Sequence, residues 1–453
     1  MNKLIMAGLL AGTALVPAQA MAQDGELEAL RAQIAEMQAQ MERLSAHVAH
    51  LEAEQASQAQ ATATLAAEQA ETATQVAAVA EQDDGTSVTW KGAPLIEGEG
   101  GWSFKPRGRL QVDAGTISAP EGLDDGFGSE MRRARLGVEG DIPGGFGYKF
   151  EVDFAGSEVD VTDAIFTYED DGLKLSFGQH KTFQSLEEQT SSRFISFIER
   201  AAFTDAFGFE RRLGASAQYG TGDVLVQAGV FTDNISDLPG KSWSASGRAV
   251  FMPKLGNTQL HLAGSVNLTE LESGDTVRYR QRPFVHFTSS RYINTGNFQA
   301  ESELGLGAEA AAIVGPFHVA GEAYWQSADM PGTMPSADFF GGYAEVGYFL
   351  TGGDKRGYKK GSFDRVKPAN PVGEGGIGAI QANLRYDYLD LNDGLIIGGK
   401  QEAIYASLVW TPTDYTRFML NYGHLSYDDA AAALNGDTSY GVDTFGIRAQ
   451  VDF

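Results

Sequence analysis

The chain has 453 residues with no Cys, 55 Gly, 10% aromatic and 43% hydrophobic residues, and a formal net charge of -26. Without cysteine, disulfides, thiolate metal sites and cysteine nucleophiles are excluded, and the acidic balance argues against a nucleic-acid partner, since phosphate binding requires a basic face. Abundant glycine and aromatics with a modest apolar fraction fit one large β body whose strands meet two different solvents, rather than a conventional buried core.

The chain opens MNKLIMAGLLAGTALVPAQAMAQ, with basic Lys3, an apolar run from Leu4 to Val16 and small residues at Ala18, Ala20 and Ala22. This is the pattern of a secretory signal peptide, expected over 1–22 and removed on export. The run falls short of the ~18 apolar residues of a membrane-spanning helix. No later stretch is long and apolar enough for one, so a membrane location requires a closed barrel, because a bilayer offers backbone groups no water.

Residues 23–82 are rich in Ala, Gln and Glu and free of Pro. Leu27, Leu30, Ile34, Met37, Met41, Leu44, Val48 and Leu51 recur in steps of three and four, the seam of a left-handed coiled coil. The seam continues less apolar through Gln55, Gln58, Thr62 and Leu65. The spacing predicts an α-helical coiled-coil stalk in the periplasm, tight in its first half and looser in its second. Residues 83–101 read as a linker.

From 102 to 453 the apolar period becomes two, so successive side chains face opposite sides. In YKFEVDF, Tyr148, Phe150, Val152 and Phe154 alternate with Lys149, Glu151 and Asp153. An aromatic face backed by a charged one suits a wall between lipid and a wet lumen. Sixteen strands are predicted, near 102–114, 130–140, 146–156, 160–170, 172–180, 210–219, 223–232, 243–252, 258–268, 301–313, 316–327, 339–350, 379–390, 402–411, 414–427 and 440–453. The last runs regularly to Phe453, as expected of a strand that must pair with the first to leave no edge. Connections alternate between long and short, the asymmetry of an outer-membrane barrel. Thr351 to Gly378 is too long for a bare turn. The fold class is therefore all-β: a 16-stranded antiparallel transmembrane β-barrel preceded by the stalk.

WSFKPRGRLQVDAG (Trp102 to Gly115), RRARLGVEG (Arg132 to Gly140), SLEEQTSSRFISFIER (Ser185 to Arg200) and FLTGGDKRGYKKGSFDRVKP (Phe349 to Pro368) are spread across this region. Together with the aromatic-terminated last strand they resemble the phosphate-selective porins of O and P type from Gram-negative outer membranes. The resemblance implies a trimer with inward-folded loops and a ladder of lumen cations that conducts small anions, including phosphate or polyphosphate. Carried onto this chain, the ladder comprises Arg109, Arg132, Arg133, Lys149, Lys181, Arg193, Arg200, Arg278 and Arg280, with hydroxyl donors at Ser191 and Ser192. Guanidinium stays charged and offers forked donors that match phosphate oxygens. Asp163 is expected as a lumen acid that moderates binding so that ions leave. The chain departs from the pattern at Glu188, where phosphate-selective members present a lysine.

No catalytic residue, metal site or cofactor is expected. His180, His261, His286, His318 and His424 are dispersed, no Ser sits in a nucleophile setting, and GDKRGYKKG lacks the GK[ST] ending of a phosphate-binding loop. The expected partners are two further copies of the chain, outer-membrane lipid and lipopolysaccharide, the barrel-assembly machinery, small anions, and peptidoglycan through the stalk. No nucleic acid is among them. The alternatives are a non-selective porin, or a barrel that anchors a structural tether between outer membrane and cell wall.

Overall fold

The computed structural model describes residues 85–453 and scattered helical positions between 42 and 67. The signal peptide expected at 1–22 and nearly all of the coiled coil expected at 23–82 lie outside the described residues. The stretch read as a linker carries a hairpin, Ser87–Trp90 against Pro94–Glu97. Its second strand continues onto the sheet, with Ile96 opposite Phe104 and Glu97 opposite Ser103. Strands of four residues in a Gly- and Pro-containing stretch are too short to show a period.

Sixteen strands follow: β1 (Ser103–Ser118), β2 (Gly126–Ile142), β3 (Phe146–Asp153), β4 (Asp160–Asp170), β5 (Leu173–Lys181), β6 (Arg211–Thr221), β7 (Val224–Phe231), β8 (Trp243–Phe251), β9 (Thr258–Glu270), β10 (Ser302–Val314), β11 (Phe317–Asp329), β12 (Ala337–Phe349), β13 (Ala379–Asp393), β14 (Ile396–Thr413), β15 (Thr416–Asp428) and β16 (Tyr440–Asp452). Each pairs antiparallel with the next. β16 returns to β1, from Asp443 opposite Ser118 to Asp452 opposite Arg109. The ring leaves no free edge, as a bilayer demands.

The barrel is inside out relative to a water-soluble protein. On β16, Phe445, Ile447 and Val451 are 45%, 41% and 40% exposed on the outer face, whereas Arg448 and Asp452 are 2% and 1% exposed on the inner one. The terminal residue completes the seam: the Phe453 and Gly108 backbones exchange hydrogen bonds of 3.0 and 3.1 Å. The Phe453 ring lies over Gly108 so closely that a Cβ there would sit 2.1 Å from the ring's Cζ.

β13 and β14 are longer than their period suggests and meet in a two-residue turn at Gly394 and Leu395. Polar Asp390, Asn392 and Lys400 interrupt the alternation, and a bulge lies between Asp390 and Asn392. The long connection 350–378 folds into the barrel from the short-turn end. Its hairpin, Gly357–Lys359 against Ser362–Asp364, places Tyr358 Oη 2.7 Å from His261 Nδ1 and Phe363 N 3.3 Å from Thr190 Oγ1.

Two long loops enter from the other end, the third at 182–210 and the fifth at 271–301. Their apolar residues Leu186, Phe197, Ile198, Phe203, Phe284 and Ile293 join wall residues Tyr324, Tyr343, Leu389, Tyr405 and Leu425 in one buried cluster. Phe284 stacks on Tyr405 with ring centroids 3.9 Å apart. Part of the lumen is thus filled by a hydrophobic core of loop and wall residues, and open space remains beside it.

Candidate functional site

The third loop is held by carboxylates that point inward from the far wall. It carries two short helices, α1 (Leu186–Gln189) and α2 (Ala202–Ala206). Glu322 on β11 accepts hydrogen bonds from the backbone nitrogens of Leu186 and Glu187, both at 2.8 Å, and from Tyr343 Oη at 3.0 Å. Asp387 on β13 accepts from Ala202 N at 3.0 Å. Each carboxylate satisfies backbone donors at a helix start that would otherwise be orphaned. Arg385 ties Glu187 to Glu345 and lies between the rings of Phe197 and Tyr343, 4.5 Å from each centroid. Farther along the loop, Arg417 Nη1 and Gln450 Nε2 donate to the carbonyl of Arg193 at 3.0 and 3.2 Å.

With the loop seated on that wall, a cavity of about 1000 Å³ remains between it and the β1–β6 side. Eight arginines and three lysines line it against seven carboxylates. The local balance therefore opposes the -26 of the whole chain. Ten of the twelve residues expected to line the pore border this cavity: Arg109, Arg132, Arg133, Lys149, Asp163, Lys181, Ser191, Ser192, Arg193 and Arg200. Arg278 and Arg280 do not. In the extended stretch of the fifth loop, Val277, Tyr279 and Gln281 take the buried positions and turn the two arginines to the exposed side. Arg282 reaches the cavity instead.

Most of these cations are neutralised in place. Lys149 and Arg211 share Asp163 at 2.5 and 2.7 Å. Arg135 meets Glu151 at 3.1 Å and Asp153 at 2.7 Å. Arg132 grips Glu199 through two hydrogen bonds of 2.7 and 3.1 Å, and Lys181 and Arg200 share Glu188 at 3.1 and 3.3 Å. Arg193 pairs with Asp452 at 3.3 Å, and Arg282 with Asp205 at 3.5 Å. Arg109 donates to Ser192 Oγ at 2.6 Å and has Glu151 at 3.8 Å.

Arg133 differs. Among the described residues no carboxylate lies within 4.0 Å of it; its Nη1 donates to the neutral Gln111 at 2.9 Å. Gln111 in turn bonds Ser192 O at 3.1 Å and Gln450 Oε1 at 2.7 Å, which fixes its orientation.

The two adjacent arginines both serve the lumen because β2 is bulged. Gln111 pairs with Arg133 and Val112 with Met131, so Arg132 is the extra residue. In the third loop, burial alone would raise the Glu199 carboxyl, but Arg132, Arg133 and Arg448 outweigh it and hold it well below the usual range. Glu188 is lowered in the same way by Arg200 and Lys181 against its own burial.

Gln111, Arg135, Glu151, Glu199 and Arg211 are site residues that the sequence reading passed over. Inward parity on the strands was the available signal for Gln111, Arg135, Glu151 and Arg211; for Glu199, on the loop, the signal was its place beside Arg200 at the end of SLEEQTSSRFISFIER.

A closed antiparallel barrel with an apolar exterior, a charged lumen and a constricting third loop defines an outer-membrane porin, a channel rather than an enzyme. The family model of the phosphate-selective porins O and P matches residues 104–453, and the chain belongs to that family. A protein of Caulobacter vibrioides is 49% identical over 385 residues, covering 81% of this chain and 77% of that one. Among solved structures the fold is similar to the anion-selective porin of Comamonas acidovorans, with TM-score 0.52, 13% identity, 78% of this chain and 100% of that one. It is also similar to OmpT of Vibrio cholerae, folded in vitro and solved in a trimer form, with TM-score 0.51, 13% identity, 78% of this chain and 100% of that one.

Proposed function

We propose that this porin conducts small anions through the basic cavity, with Arg133 as the principal binding step. The observation that carries the reading is that Arg133 has no carboxylate partner among the described residues, whereas its neighbours spend their charge on fixed acids. A guanidinium held by the neutral Gln111 and facing a wet cavity keeps donors for a passing anion. Phosphate is a weaker permeant than chloride in this reading, because Glu188 neutralises the Lys181 and Arg200 pair that would otherwise recruit a multivalent anion. Three copies associate as in the trimeric OmpT relative, and residues 23–82 form a periplasmic coiled coil that reinforces the trimer.

The test is the zero-current potential of the purified full-length protein in planar bilayers under a potassium chloride gradient. Preference for chloride is expected, with weak block by phosphate. Preference for potassium refutes the reading.

A further inference from the structure

Behind the third loop, at the short-turn end, lies a second and much smaller cavity of about 20 Å³. It is lined by Arg193 and Phe194 of the loop, Arg365 of the inward periplasmic connection, Asp414 and Arg417 of the β14–β15 region, and Asp452 of β16. Its charges do not balance: three guanidiniums face two carboxylates. Asp452 is already shared, accepting from Arg193 Nη1 at 3.3 Å and from Arg365 Nη2. The other end of Arg365 is spent on the Asp414 carbonyl.

Arg417 is the unspent charge. It is 5% exposed and has no carboxylate within 4.0 Å among the described residues. Its Nη1 holds the Arg193 carbonyl at 3.0 Å, while its Nη2 is buried without a hydrogen-bond partner among the described residues. A buried charge left unpaired is costly and calls for a counter-ion. Around the site, Phe194 is flanked by the guanidiniums of Arg193 and Arg365, 5.0 and 5.1 Å from its ring centroid.

We propose that this cavity binds one halide-sized anion, chloride in the cell envelope, which neutralises Arg417 and braces the third loop from behind. The volume admits a single particle of about the size of a water molecule and is too small for phosphate. The bound ion keeps Arg417 in place to hold the Arg193 carbonyl, so the site acts on the position of the loop rather than on conduction itself. It does not depend on the pore's selectivity, because Arg133 is not part of its lining.

Crystals of the full-length protein soaked in sodium bromide test it directly. The expected result is an anomalous difference peak in contact with Arg417 Nη2; no anomalous signal there at saturating bromide overturns the proposal. In solution, the thermal unfolding temperature at fixed ionic strength should rise with the ratio of chloride to gluconate, since a ligand that binds the folded state stabilises it. The rise should persist in Arg133→Gln, where the basic cavity has lost its principal anion step, and vanish when Arg417→Gln is added to that variant. A halide dependence that survives undiminished in the double variant contradicts it.

Discussion

Substituting Arg133 is the sharpest test of how the pore selects ions. A permeant ion about 5 Å from the guanidinium, in a lumen as polar as water, gains or loses about 0.8 kcal/mol according to its sign. Screening over that distance at a Debye length of ~8 Å roughly halves the effect. Anion and cation respond oppositely, so Arg133→Ala should lower the chloride-to-potassium permeability ratio by about four- to fifteen-fold, each 1.4 kcal/mol being tenfold. Arg133→Glu doubles the change in charge and should reverse the selectivity. Arg280→Glu makes the same change at an exposed position outside the cavity lining and should alter the ratio little. The assay is the zero-current potential in bilayers, with single-channel conductance recorded to confirm an intact pore. Equal shifts from Arg133→Glu and Arg280→Glu, or none from Arg133→Ala, would refute the reasoning.

Glu322→Gln removes one acceptor from a carboxylate that receives three buried donors. It should cost about 1–3 kcal/mol for each donor left unsatisfied, and raise both conductance and current noise as the third loop loosens; quiet currents of wild-type size would count against the anchor. Gly108→Val places side-chain atoms where the Phe453 ring lies and should destabilise closure by about 1–3 kcal/mol through overpacking, read as a lower temperature for the heat-induced shift in gel mobility. Glu188 and Glu199 are held below the ordinary carboxylate range. Their contribution to loop stability is therefore full above the unfolded value of about 4.3 and is lost as pH falls through the folded values. The part of the pH dependence of current noise that Glu188→Gln and Glu199→Gln abolish should lie below about pH 5; an abolished part near pH 6 would contradict the assignment.

Much of the wall was legible in the chain, because a strand between lipid and water writes its geometry as alternation. The closing run to Phe453, the count of sixteen and the inward parity of Arg109, Lys149 and Asp163 all follow from a period of two. Alternation failed where the backbone departs from it. A bulge brings Arg132 to the same side as Arg133, and the fifth loop turns Arg278 and Arg280 away while Arg282 reaches the cavity. The residues that seat the third loop were the least readable: Glu322, Asp387 and Arg417 come from strands far along the chain, and each is defined by the backbone group it meets across the lumen. Sequence periodicity determined which face a regular strand presents, since that is set by neighbours one and two residues away. Only the closed barrel decided which inward charges are paired and which remain free, since ion pairing depends on ångström separations between strands and loops that the chain brings together by folding.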